Sequence, residues 1–126
     1  MIRKVETKGA PIAIEPYSQA INAGGFLFLS GQIPLNPETG KLAGNTIEVQ
    51  TQQVLSNIEA ILKDQNLTFA HVVKVEIFLK NLSDFALVNG IYAETFREEI
   101  KPARVTVEVA RLPLDSLIEI SCIALL

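Results

Sequence analysis

Two side chains in this sequence stand out as able to act together on a small anion: Arg104 and Glu119, each set in a short apolar, strand-like segment. Arginine's planar fork can grip a carboxylate through two parallel charge-assisted bonds. A glutamate one hydrogen bond from a water can serve as its general base. Spacing alone also allows plainer roles, a solvated arginine at a strand end and a surface strand glutamate paired with a lysine. Other site types are poorly supplied. His71 is the one histidine, which makes a histidine-based metal site or a Ser-His-Asp triad hard to build, and it reads as a polar residue at a strand edge. Cys122 is the one cysteine and sits in an apolar alternation, so it reads as a small buried hydrophobe rather than a nucleophile. Gly24-Gly25 lacks the third glycine and the following helix of a dinucleotide fingerprint, and there is no P-loop.

The elements that must position these groups can be read from period and punctuation. Val5 and its neighbours suit a short first strand, and residues 19–23 and 26–30 flank Gly24-Gly25 as a hairpin. The stretch 31–44 holds Pro34, Pro37, Gly40 and Gly44 and reads as a loop. Asn45 to Glu48 resembles a capping box, with Asn45 as the cap. Behind it Val54, Leu55, Ile58, Ile61 and Leu62 recur at helical spacing, and Asn66 suits the left-handed end of that helix. Residues 71–80 alternate, with Val73, Val75, Ile77 and Leu79 on one side. A second helix follows, capped by Ser83 or Asp84 and ended by Lys101-Pro102, with Phe85, Val88, Tyr92, Thr95 and Phe96 as its stripe. Two strands close the chain, over 104–110 and 117–125. The order predicts an α+β domain, two helices packed on one face of a mixed β-sheet.

If Val105, Val107 and Val109 meet the helices, Arg104 and Glu119 project together from the opposite face. That face also carries apolar residues: both sides of 26–30 are largely apolar, and Val72 and Phe78 lie on the more polar side of their strand. A sheet apolar on both faces wants both covered, and two helices cover one. A second subunit is therefore expected over the other, with catalytic groups in a groove between protomers.

The 126 residues suit one domain, 1–126, large enough to bury roughly two-thirds of its unfolded surface without metal or disulfide. A single cysteine fits a reducing compartment. The charged first residues lack a signal peptide's apolar run, and no stretch reaches the about 18 apolar residues of a membrane span, which predicts a soluble cytoplasmic protein. Net charge is −3, a balance that argues against a strong electrostatic grip on nucleic acid, which needs a concentrated basic face. A mean hydropathy of +0.29 is high for so small a chain and agrees with a subunit interface.

The run Pro102-Ala103-Arg104 through Ala110-Arg111-Leu112, closing on Leu117-Ile118-Glu119-Ile120, resembles the signature of the Rid (reactive intermediate deaminase) family. Pro16 to Ala20, Ser30 to Pro34 and Asp84 to Asn89 agree with the same family in the same order, so the resemblance spans nearly the whole chain. It implies a chorismate-mutase-like fold, a homotrimer with three intersubunit clefts, and cofactor-free hydrolysis of 2-iminobutanoate and 2-iminopropanoate, which protects pyridoxal-phosphate enzymes. By the same resemblance Arg104 holds the substrate carboxylate and Glu119 handles the water. Tyr17 closes the pocket, Ser30 and Gly31 offer hydroxyl and backbone donors, and Thr106 offers its carbonyl to the imine nitrogen. Asn89 reads equally well as a cleft residue or an ordinary hydrogen-bonded helix residue. Many bacterial members have cysteine where this chain has Thr106, and glycine where it has Glu15; the second change bears on the loop before Tyr17 and on substrate size. A metabolite-binding regulator and a ribonuclease remain the competing functions, the second disfavoured by the acidic balance.

Overall fold

A computed structural model describes residues 1–126. The strand-forming segments are β1 (Arg3–Val5), β2 (Ala20–Ala23), β3 (Phe26–Gln32), β4 (Val72–Leu79), β5 (Ala103–Glu108) and β6 (Ile118–Leu125), and the helices are α1 (Ile47–Asp64) and α2 (Phe85–Thr95). The strands make one sheet in the order β1-β2-β3-β6-β4-β5. Gly24 and Gly25 take φ of 61° and 86°, which lets a two-residue turn join β2 to β3 in the right-handed twist of the sheet. β6 runs antiparallel to both β3 and β4, so α1 connects two strands of like direction with β6 later inserted between them. α2 connects β4 to β5, which pair in parallel at the sheet's edge. The two-helices-on-a-mixed-sheet architecture anticipated above is the one adopted.

Burial of one sheet face organises the core. Val75, Ile77, Leu79, Ile118, Ile120, Cys122 and Ala124 pack beneath Val54, Ile58, Ile61 and Leu62 of α1 and Val88 and Tyr92 of α2. No helix is long and apolar enough to cross a membrane.

Local chemistry departs from expectation at four places. The side chain that caps α1 is Thr46, which accepts from the Val49 amide at 3.3 Å; Asn45 lies one residue outside. Asp84 precedes α2 but makes no side-chain cap bond. Asn81 instead accepts from the Ser83 amide (3.0 Å) and caps a 3-10 turn over Leu82–Asp84 that runs straight into the helix. α2 stops at Thr95, well before Lys101-Pro102, because Phe96 turns into the core and stacks on Tyr92 at 4.4 Å between ring centroids. The Lys101 ammonium then donates to the Phe96 carbonyl at 2.7 Å, satisfying an acceptor at the helix end. In β4 a register shift between Val72 and Lys74 buries Val72 and exposes Val73, the reverse of a strict alternation. Asn66 does close α1 in the left-handed region, at φ 60°.

Candidate functional site

Arg104 sits in β5 beside Val75 of β4, whose partner on the other side is Cys122 of β6. Val75 and Cys122 are both buried beneath the helices, so Arg104 and Thr106 lie on the helix side of the sheet. Val105 and Val107, at 40% and 38% exposure, face the open side. Glu119 also faces the open side, paired with Phe78, whose other neighbour is Val107. The expected common face for Arg104 and Glu119 is therefore wrong within one chain. The valines alternate as anticipated, but they point away from the helices, because α2 offers β5 a polar and aromatic surface rather than an aliphatic one.

That surface forms a cradle. Arg104 Nη1 donates to Asn89 Oδ1 at 2.8 Å, and its guanidinium lies 4.7 Å from the Tyr92 ring centroid and 5.4 Å from that of Phe85. Phe85, Asn89 and Tyr92 are spaced four and three residues apart, so they share one face of α2. Contacts between a guanidinium and aromatic faces are worth about 0.5–2 kcal/mol, rising as water is excluded. No carboxylate pairs with Arg104: the three ion pairs of the chain are Lys4–Glu6, Glu59–Lys63 and Arg111–Asp115. Its remaining donors stay available beside a cleft of about 420 Å³ that Asn89, Tyr92 and Lys101 also line. Burial pushes the Tyr92 phenol up, with the Arg104 cation pulling partly the other way, so the hydroxyl stays neutral. Neither that hydroxyl nor Thr106 Oγ1, both buried, has a hydrogen-bond partner.

Glu119 occupies a second cleft, of about 510 Å³, with Tyr17, Ser30, Gly31, Ile33 and Leu114 among its walls. The β3–β6 register slips between Leu29 and Gln32, which bows the chain at Ser30-Gly31 away from the regular ladder. Glycine leaves room there for the base: a Cβ at position 31 would run into the Glu119 carboxylate, with Cδ only 2.9 Å away, and the glutamate side chain would have to move. Burial alone raises the Glu119 pKa, since no cation compensates it. Such a carboxylate is a stronger base than a free one.

The loop that brings Tyr17 to this cleft hangs on Gln19, which sequence inspection did not single out. Its carbonyl accepts from the Thr7 amide at 2.7 Å, and its Nε2 donates to the carbonyls of Thr7, Ala10 and Pro11 at 3.0, 3.3 and 2.8 Å. The Ser30 hydroxyl donates to the Ser18 carbonyl at 2.5 Å. Its proton is thus committed within the chain, leaving lone pairs rather than the donor expected of it. The other wall is a 3-10 turn, Pro113–Asp115, in which Leu114 and Asp115 take φ of 56° and 54°. Left-handed backbone costs roughly 1–2 kcal/mol for a residue with a Cβ. Neither this turn nor the aromatic part of the arginine cradle was assigned a site role from sequence. For the cradle the helical spacing of Phe85, Asn89 and Tyr92 was a signal that could have been used.

His71 and Cys122 have structural roles. His71 Nδ1 accepts from the Thr68 amide at 3.0 Å and closes a capping box. Cys122 is buried and its thiol is pushed up to about 12, so it stays protonated and packs as a hydrophobe. Thr106 lines neither cleft, its side chain lying inward behind Arg104.

Two clefts thus lie on opposite faces of a small α+β sheet, one holding Arg104 and the other Glu119, and comparison with known proteins gives the family to which such a chain belongs. Residues 7–126 match the family described as Endoribonuclease L-PSP. A RutC family protein of Pyrococcus horikoshii is 55% identical over 94% of this chain and 93% of its own length. The chloroplastic Reactive Intermediate Deaminase A of Arabidopsis thaliana is 51% identical over 97% of this chain and 65% of its own. A Yersinia pestis crystal structure described as a protein of unknown function of the conserved Rid family superposes with a TM-score of 0.98 at 51% identity, covering both chains completely. The chain belongs to the Rid family.

Proposed function

We propose that this protein hydrolyses reactive 2-imino acids, 2-iminobutanoate and 2-iminopropanoate among them, to 2-keto acids and ammonia, at sites shared between the subunits of a homotrimer. The observation that carries the reading is the division of the site. Arg104 is held unpaired on one sheet face, and Glu119 is held unpaired, with a raised pKa, on the other. One chain cannot bring them to one substrate, but two neighbouring copies can. The open sheet face favours such an assembly, since Phe26, Phe28, Val105, Val107 and Leu125 all stand exposed there. A patch this apolar on a small chain is normally covered by protein.

In the shared cleft, Arg104 takes the substrate carboxylate bidentately and Asn89 and the two rings fix the plane of its fork. Glu119 accepts a proton from water as the oxygen adds to the C=N carbon. That proton passes to nitrogen to give the amino alcohol; Glu119 then takes the proton of the new hydroxyl and returns it to the amino group, and the C–N bond breaks so that ammonia leaves as the carbonyl forms. Oxidation states balance without a cofactor. Tyr17, Ser30 and Gly31 of the Glu119 cleft enclose the reacting carbon, and the Thr106 carbonyl is the acceptor for the imine N–H. The relative named as a reactive intermediate deaminase supports this reading over the endoribonuclease in the family's description, as does the acidic charge balance.

The test is imine decay in a coupled dehydratase assay. Arg104→Ala is expected to abolish the acceleration of ammonia release, a loss of at least about 10³-fold for an anchor of this kind, while sedimentation still shows a trimer. A variant that keeps accelerating the reaction removes Arg104 from the site. Tight 2-oxobutanoate binding by a wild type that leaves imine decay unchanged would favour a metabolite-binding regulator.

A further inference from the structure

Leu114 is a large apolar side chain left 63% exposed on a turn whose flanks are firmly anchored. Leu112 and Ser116 on either side are buried. The Ser116 hydroxyl donates to the Pro113 carbonyl (2.9 Å), and the Leu117 amide donates to Gln50 Oε1 on α1 (2.8 Å). Arg111 Nε donates to Asp115 Oδ1 at 3.1 Å across the turn. Anchored this way, the chain passes 114 and 115 with two consecutive positive φ angles, a combination that leucine and aspartate disfavour. Disfavoured backbone that presents a hydrophobe to solvent does nothing for the core of this chain. It does place Leu114 in the wall of the cleft that holds Glu119.

We propose that Leu114 sets the side-chain preference of the active site, favouring 2-imino acids with medium-sized apolar side chains, such as those formed from leucine or methionine. This rests on the imine-hydrolase reading above. With the substrate carboxylate on Arg104 and the imine carbon beside the Glu119 water, the side chain leaves that carbon as the third substituent. The Arg104 side sets Asn89 and two cations, Arg104 and Lys101, among Tyr92, Ala93, Phe96 and Pro102, so a substituent there lies beside charge. The Glu119 side offers Leu114, Pro113 and Ile33. An apolar substituent gains by lying against the second, and each added methylene in contact is worth about a fourfold gain.

The experiment supplies imines from alanine, 2-aminobutyrate, methionine, leucine and glutamate with an amino-acid oxidase and follows their decay with wild type, Leu114→Ala and Leu114→Asn. Wild type is expected to show a kcat/KM about tenfold or more higher for the leucine-derived than for the alanine-derived imine. Leu114→Ala and Leu114→Asn should bring that ratio within about threefold, with the larger fall in the leucine-derived rate. An unchanged ratio in both variants overturns the proposal. So does a glutamate-derived imine as the fastest substrate, which would assign the preference to Lys101. Calorimetric binding of 4-methyl-2-oxopentanoate against pyruvate separates the two readings. If wild type turns over no imine yet prefers the larger keto acid in a Leu114-dependent way, the subsite stands and the catalytic reading fails. No preference in either measurement removes the subsite.

Discussion

The arginine cradle and the glutamate cleft solve the same problem, holding a charge ready without neutralising it, in opposite ways. Arg104 rests on a regular element: three side chains of one face of α2 grip a guanidinium by hydrogen bond and by ring faces. Glu119 rests on irregular ones: a bulged strand with a glycine, a loop hung on Gln19, and a turn with left-handed residues. Cations tolerate aromatic neighbours, whose ring faces attract them, so a rigid platform suits the arginine. A carboxylate tolerates no such surface, and its basicity is raised by removing water and withholding cations, which calls for close-fitting backbone instead.

The contrast breaks most sharply at Gly31. Gly31→Ala sets a methyl against the Glu119 carboxylate and should displace the base by an ångström or so, with kcat falling about 10²-fold and KM little changed. Steady-state kinetics on any imine that the wild type hydrolyses checks this, and an alanine variant of unaltered kcat would mean that Glu119 acts elsewhere. The cradle should be softer. Tyr92→Leu keeps bulk but removes the ring face, and is expected to raise KM about tenfold, as loss of a partly desolvated cation–π contact would. Tyr92→Phe keeps the ring and discards a buried hydroxyl that has no partner, so it should leave KM intact and unfold at the same or a higher temperature.

The smallest effect concerns charge and pH. Glu119 has its folded pKa raised above the unfolded value, so the native state holds that proton more tightly. The favourable contribution is complete below the unfolded carboxylate pKa and is lost as pH rises through the folded value. Glu119→Gln should therefore gain stability over wild type above that range and show no advantage below it, read as denaturation midpoints across pH. The acid limb of kcat/KM in the wild type should fall at the same raised value, above that of an ordinary carboxylate. If both track an unshifted glutamate, the cleft is wetter than its geometry indicates.

Much of the architecture was legible because it depends on period and punctuation. The aliphatic stripe of α1, the glycine pair between β2 and β3 and the left-handed Asn66 are each local solutions with few competitors. The end of α2 was not, because a tertiary contact, Phe96 against Tyr92 and Phe69, draws the chain out of helix before proline can act. The cap of α1 slipped by one residue, since Asn45 and Thr46 are both competent and only backbone geometry chooses between them.

Residue order by itself determined the candidate groups: Arg104, Glu119, Tyr17, the Ser30-Gly31 pair, Asn89 and Thr106, together with the two helices and the sheet they pack on. What it could not determine was which way β5 faces. A period of two sorts side chains into two sets without saying which set is inside, and the valines made the wrong choice attractive. Parallel pairing with β4 places Arg104 beside the buried Val75, and α2 meets it with Asn89 and two rings instead of aliphatic side chains. The two charges thereby land on opposite faces of one sheet, and that decision, made only in three dimensions, turns a single apparent site into two clefts, which the function proposed above joins through a neighbouring copy.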